Sequence, residues 1–364
     1  MFRLFILDNG LDKLSGHHYN QALGLITGAK QLGYRPLVFS TQNSAAVPQI
    51  AQIAKPTFQK FLYRPDPFIQ IAEHALLFAD ECTRCLPQLH STDVIFFPNA
   101  NYDEIASITH LIQKRRITEK IIVRLLYYPH GHEQDYFDCL NSLKGHPNVK
   151  LVTSSAPYSN WLNSAGFPNE FIGGPPHNLP YAITQAIEPH YEFAYLGQAA
   201  KAKGFELLIN ALLLGAQQGF TPKTLLHTKG YTIAPELLAQ LGHVTIVPDS
   251  VSEEVFYEHL GSSKCIVTYY HPGNYRLQDS AIVTEALALE RYVLCSPIAF
   301  IADTYGNDFF QFSCTAGQYD EQALLKKMQL ISAQVNKPDF VLAASQRAKL
   351  LSSPALFTAK VLML

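Results

Sequence analysis

Short apolar runs rich in Val, Ile, Phe and Tyr alternate along this chain with longer segments of helical period. That order is the mark of βαβ units, whose strands pair in parallel and whose helices cover both faces of the sheet. In the first half the runs predict strands over 2–7, 35–40, 57–62, 93–97, 120–127 and 149–153. Between the first two, Ala22, Leu25, Ile26 and Ala29 fall on one stripe of a helix expected over 18–32, which Gly33 ends. The chain therefore starts as a strand, a loop with Gly10 and Gly16, and a helix.

A change of texture at 173–189, with two glycines, four prolines and no periodicity, predicts an interdomain linker. A second alternating half follows, with strands expected near 191–196, 224–228, 244–247, 265–269 and 292–295. Its first helix is plain from Phe205, Leu208, Ile209, Leu212 and Leu213, which share one face. The expected organisation is a Rossmann-like domain over 1–172, the linker, a second Rossmann-like domain over 190–337, and a helical tail over 338–364 that packs back across the domains. Doubly wound sheets bind ligands outside the carboxyl ends of their strands, where helix N-termini offer free N–H groups. Two such domains facing across a cleft place the expected site in that cleft.

Composition narrows the function classes. Of 364 residues 48% are hydrophobic and only 16% charged, as in a compact globule. With 28 Lys+Arg against 30 Asp+Glu the net charge of −2 gives no overall basic field, so nucleic acid is not an expected partner. Six scattered cysteines form no disulfide framework, and Cys82 with Cys85, on a helix expected over 69–86, lacks the second ligand pair that zinc needs. Buried thiols in a reducing compartment are the better reading. The N-terminal apolar run is too short for a signal peptide and no stretch is long enough to span a bilayer. A cytoplasmic protein is expected, with peripheral membrane contact left open.

Two segments carry chemistry. In residues 193–212, FAYLGQAAKAKGFELLINAL, a strand runs into Gly197, a loop carries Lys201 and Lys203, and Gly204 opens the amphipathic helix. Lys203 can put a positive charge where a diphosphate would lie; taken by itself, an ordinary exposed lysine beside a βα loop is the favoured reading. In residues 267–297 a strand, a glycine-containing loop and a helix from about Ser280 follow one another. Asp279 or Ser280 can cap that helix, and the N–H groups near Ala281 and Ile282 form a second anion cradle. Glu285, one turn in, could accept ribose hydroxyls or could simply favour the helix dipole.

With these residues in view, the second half resembles the donor-binding domain of retaining GT-B glycosyltransferases, the family-four group. The family pattern G-R-x₄-K-G-x₃-L-I-x-A is matched at Gly197, Lys203, Gly204, Leu208, Ile209 and Ala211, with Gln198 in place of the family's Arg. Its E-x₇-E motif followed by A-x-A-x-G-x-P-V is matched at Glu285, Ala286, Ala288 and Val293, with Leu277 at the first Glu position. The pattern Y-R…S-G…E-A of more divergent relatives resembles Tyr275, Arg276, Ser280, Glu285 and Ala286. The likeness covers roughly 193–297 by motif and the first half by architecture alone.

The resemblance implies a GT-B architecture and a metal-independent hexosyltransferase. Such an enzyme moves a sugar from a UDP- or GDP-linked donor to a glycan, lipid-linked or other acceptor with retention of configuration, and uses no cofactor. Lys203 would bind the diphosphate and Glu285 the ribose. Ser280, Ala281 and Ile282 would meet the phosphate through their backbone, with Gly197, Gln198, Lys201 and Arg276 beside it. Asp279 stands near the reacting sugar in place of the missing Glu. In the first half, Gly16 would approach the donor phosphate, and His130, after the strand over 120–127, the donor sugar. His17, His18, Asn99, Arg124 and His132 are acceptor-side candidates. His130, His132 and Glu133 also make half of a metal site, a reading that a metal-independent family disfavours. Gln198 and Leu277 keep open a catalytically silent GT-B protein that partners an active transferase; a GT-B sugar-nucleotide epimerase is a further alternative.

Overall fold

The computed structural model describes residues 2–14, 17–59, 71–126, 128–129, 131–174, 187–271, 275, 277–306, 320–334 and 339–364. The chain forms two compact units: Met1–Asn178 with Ser353–Leu364, and Leu179–Ser352. The division falls inside the segment read as a linker.

The first unit contains β1 (Arg3–Leu7), α1 (His17–Gln31), β2 (Arg35–Thr41), α2 (Pro48–Ala51), β3 (Ala54–Phe58), α3 (Ile71–Cys85), β4 (Val94–Ala100), α4 (Tyr102–Arg115), β5 (Lys120–Leu125), α5 (Glu133–Asn141), β6 (Val149–Thr153), α6 (Ala156–Ser164) and β7 (Glu170–Phe171). Its strands pair in parallel in the order β3-β2-β1-β4-β5-β6-β7. β1, β4 and β5 lie inside the sheet and are buried almost throughout, which is why they read as continuous apolar runs and not as alternating ones. β3 lies earlier than the strand expected over 57–62. It is an edge strand, and an edge tolerates Pro56, which sequence alone treats as a strand breaker. Helix starts are capped as their sequences suggest: Asn101 and Glu104 form a reciprocal capping box on α4, and Ser155 caps α6.

The second unit contains β8 (Tyr191–Tyr195), α7 (Phe205–Gln217), β9 (Thr224–His227), α8 (Pro235–Gln240), β10 (Val244–Val247), α9 (Glu253–Gly261), β11 (Ser263–Thr268), α10 (Ala281–Ala288), β12 (Tyr292–Cys295), α11 (Ala299–Tyr305), α12 (Glu321–Ser332) and α13 (Asp339–Leu351). Its parallel sheet runs β10-β9-β8-β11-β12. The α7 stripe buries Phe205, Leu208, Ile209 and Leu212 in a core that includes Leu324, Leu325 and Met328 of α12. The turn after α10 holds Glu290 at φ +60°, a left-handed backbone that favours glycine, where the A-x-A-x-G-x-P-V motif has its Gly. The Glu290 carboxylate accepts from Lys349 of α13 at 2.9 Å.

The helical tail is divided between the units. α13 packs on α10, whereas the next helix, α14 (Pro354–Met363), packs on α1 in the first unit. Gly28 permits that approach, since a Cβ there would lie 2.2 Å from the Pro354 carbonyl oxygen and 2.3 Å from Thr358 Oγ1. Phe357 and Val361 complete the same core as Leu4, Ile6 and Leu25. Among the described residues, no helix is long and apolar enough to cross a membrane. Cys82 is buried and Cys85 half-buried on α3, and burial pushes the Cys85 thiol up to about 12, so both stay protonated at neutral pH. Gly28→Ala is expected to lower unfolding stability by about 1–3 kcal/mol, the usual range for overpacking. Urea midpoints against the exposed control Lys30→Ala would measure it.

Candidate functional site

In the second unit, β8, β9 and β11 end side by side, and the loop from Gly197 to Gly204 lies over those ends. Gly197 has φ +92° and Gly204 φ +72°, both in the region that favours glycine. At Gly204 space is decisive as well: a Cβ would lie 2.5 Å from Tyr269 Cβ and 2.6 Å from the Tyr269 carbonyl oxygen. The loop is tied to its neighbours by main-chain bonds. Ala199 N–H donates to the Lys229 carbonyl at 3.0 Å, and His271 N–H donates to the Ala202 carbonyl at 2.8 Å.

This seating decides the fate of the two lysines. Lys201 is exposed and lies 3.6 Å from Glu206. Lys203 is half-buried, and burial alone pushes its ammonium below the ordinary lysine value. Among the described residues no carboxylate pairs with it. A desolvated cation without a counter-charge is unfavourable by itself and is relieved when an anion arrives. Gln198 is exposed, and its carbonyl accepts from the Tyr195 hydroxyl at 3.2 Å.

The start of α10 is the second element. Ser280 caps the helix, accepting from Val283 N–H at 3.4 Å and bonding the Tyr270 hydroxyl, while Ser296 in turn donates to the Tyr270 carbonyl. Ala281 and Ile282, half-buried, supply the first two N–H groups of the helix. Glu285 is only 5% exposed and accepts from the Tyr257 hydroxyl of α9 at 3.2 Å. Asp279 is half-buried just before the cap, and Leu277 is 7% exposed. Arg276 lies outside the described residues.

In the first unit, the carboxyl ends of β1 and β4 meet the start of α1. His18 is buried, with Nδ1 2.7 Å from Asp8 Oδ1; Asn99 donates to Asp8 Oδ2 at 3.2 Å. Gly10 N–H donates to Asp8 Oδ1 at 3.0 Å, and a Cβ on Gly10 would lie 2.1 Å from the His18 ring. His17 stacks on His18 with ring centroids 4.3 Å apart. Thus His17, His18 and Asn99 come together around Asp8, a residue that sequence reading did not select. Arg124 is fully buried, donates to the Pro98 carbonyl at 3.2 Å and lies over the Phe357 ring, so it is not open to an acceptor. His132 is exposed at the start of α5, 3.5 Å from Asp135. Gly16 and His130 lie outside the described residues.

No protein-family model and no curated protein matches this sequence. Solved structures match along its whole length. A glycosyltransferase from Rickettsia africae is 16% identical, with a TM-score of 0.69 over 100% of this chain and 97% of that one. Sucrose-phosphate synthase from Thermosynechococcus elongatus is 13% identical, with a TM-score of 0.68 over 99% and 97%. The Anabaena protein HepE, solved in complex with UDP, is 13% identical, with a TM-score of 0.67 over 99% and 98%. The chain therefore has the GT-B fold shared by these glycosyltransferases.

Two variants separate the roles of the loop. Gly204→Ala is expected to destabilise the second unit, through the left-handed backbone and the clash with Tyr269. Lys203→Met is expected to leave neutral-pH stability unchanged or raised. The sign follows from linkage: a depressed lysine pKa means that the unfolded chain binds the extra proton at alkaline pH, so wild-type stability relative to Lys203→Met should rise toward pH 10.5. Denaturant titrations at pH 7 and pH 10 would check both, and a wild type that loses ground at high pH would contradict the burial of this ammonium.

Proposed function

We propose that this protein is a glycosyltransferase that uses a nucleotide-sugar donor, UDP- or GDP-linked, and retains configuration at the transferred carbon. The observation that carries the reading is Lys203, a half-buried ammonium with no carboxylate beside it among the described residues, on a loop that only glycine can seat. The capped N-terminus of α10 is tied to the same strand end, since Ser280 bonds the hydroxyl of Tyr270, the neighbour of the Tyr269 on which Gly204 rests. A diphosphate satisfies both, through charge at Lys203 and through N–H groups at Ala281 and Ile282. The structural neighbour solved with UDP, and a trehalose-6-phosphate protein from E. coli solved with UDP-2-fluoro glucose, are consistent with that ligand class.

In this reading the nucleotide is a good leaving group, and catalysis consists of stabilising the departing diphosphate and holding the acceptor beside the anomeric carbon. Lys203 and the start of α10 serve the first task. Glu285 takes the ribose by exchanging its bond from Tyr257 for the ribose hydroxyls. Asp279 and His130 serve the reacting sugar, and the His17, His18 and Asn99 group, with His132, lies on the acceptor side. The chain's own lysine and helix end supply the positive charge, so the proposal needs no resident metal.

A second reading, a catalytically silent partner of an active transferase, is favoured by one observation: Leu277, where the family carries a sugar-contacting Glu, is a buried apolar residue. Turnover separates the two. The wild type is expected to show a thermal shift with UDP or GDP and to release nucleotide from the matching sugar nucleotide in the presence of acceptor. Glu285→Ala and Lys203→Met are each expected to abolish that shift. A shift without turnover across a donor panel selects the silent partner, and no shift with any nucleotide ends both readings.

A further inference from the structure

Two histidines that no sequence motif selects lie directly behind the Gly197 loop. His227 is the last residue of β9, and its neighbour in the sheet, β8, runs into Gly197. Gly197 N–H donates to His227 Nδ1 at 3.3 Å. An amide can only donate, so Nδ1 accepts and carries no proton. The hydrogen of neutral His227 is therefore on Nε2, which is 2.9 Å from Nδ1 of His259 on α9. His259 Nδ1 must accept in its turn, which leaves the His259 hydrogen on Nε2. One direction of donation thus runs from the loop amide through both rings.

We propose that His227, held in one tautomer by His259, is a positioning residue that fixes the Gly197 amide and with it the loop carrying Lys203. The proposal rests on the reading of that loop as a diphosphate site. Gly197 has no side chain to restrain it and sits at φ +92°, and among the described residues other than its chain neighbours no atom lies within 4 Å of where a Cβ would be, so no such side chain packs it in place. The bond from its N–H to His227 restrains Gly197 itself, beside the ties that hold the next two residues, the Tyr195 hydroxyl to the Gln198 carbonyl and Ala199 N–H to the Lys229 carbonyl. At the other end of the loop Gly204 is wedged on Tyr269, and the Ala202 carbonyl accepts from His271 N–H.

The arrangement requires both rings to be neutral. A proton on His227 Nδ1 would face the Gly197 N–H, and a proton on His259 Nδ1 would face His227 Nε2–H. Burial, and then the neighbouring His259, push His227 down to about 4. His259 is lowered by burial and by His190, against the opposing charge of Glu258. Among the described residues the other ring near His227 is that of Phe256, which is apolar. Between pH 4 and the ordinary value of 6.5 the unfolded chain binds a proton at His227 that the folded chain does not, so this contribution to stability is present above 6.5 and is lost as pH falls through the window.

Two variants test the role. His227→Phe keeps a ring of similar volume and removes the acceptor; His227→Asn keeps an acceptor oxygen near the Nδ1 position and removes the link to His259. Amide hydrogen exchange of the peptide over 194–204 in the full chain is expected to be faster in His227→Phe and restored toward wild type in His227→Asn. Affinity for UDP and GDP by calorimetry at pH 7.5 is expected to fall about tenfold in His227→Phe, the loss of roughly one well-placed hydrogen bond, and to stay within about threefold in His227→Asn. Because His227 stays neutral until pH nears about 4, wild-type affinity is expected to change between pH 7.5 and 5.5 no more than that of His227→Asn, which cannot protonate at this position, and to fall below it only as pH approaches 4. Unchanged exchange in His227→Phe, or exchange and affinity equally altered in both variants, would overturn the proposal. If the wild type binds no nucleotide, the functional reading falls, while the exchange comparison still decides whether His227 holds the loop.

Discussion

The close passage of Gly204 over the backbone of Tyr269 is the contact on which the candidate site depends. It lets the turn that follows β8 rest on the end of β11, and that seating takes the Lys203 ammonium partly out of water. In a parallel α/β sheet the strand ends are where backbone donors and helix starts collect. Here one glycine converts that general tendency into a specific place, because a larger residue would hold the turn, and the charge it carries, away from the sheet.

The two units treat their strand ends differently. In the first, Asp8 accepts from Asn99 and Gly10 and lies against His18, the buried Asn99 Oδ1 finds no partner among the described residues, and Arg124 donates to a carbonyl and lies over an aromatic ring. In the second, Lys203 has no acid paired with it among the described residues, and the Ser280 side chain caps α10 at Val283 N–H, beyond the first two N–H groups of the helix. Satisfied polar groups favour the fold; a desolvated, uncompensated one opposes it and favours a ligand.

Much of this architecture is legible in the sequence because the period of the apolar residues is itself the record of which faces are covered. The α7 stripe and the buried strands β1, β4, β5 and β12 follow from it directly, and Lys203 is legible because Gly197, Lys203 and Gly204 fall within one short loop. Groups assembled by parallel register are not. Asp8 and Asn99 stand 91 positions apart and meet only because β1 pairs with β4. His227 and His259 stand 32 apart and meet only because α9 packs beneath the end of β9. Arg124 shows the opposite failure: a cation inside an apolar run looks functional, and only the placement of Phe357 on a distant helix shows that it serves the core.

α14 follows the entire second unit in chain order, yet it completes the core of the first. During synthesis the first unit must therefore wait, with the α1 surface around Gly28 uncovered, until the intervening unit has emerged from the ribosome. The order of assembly is thereby inverted relative to the order of translation: the half made first is the half finished last. A chain interrupted before Ser353 would lack Phe357 and Val361, the last contributors to a core that begins at Leu4.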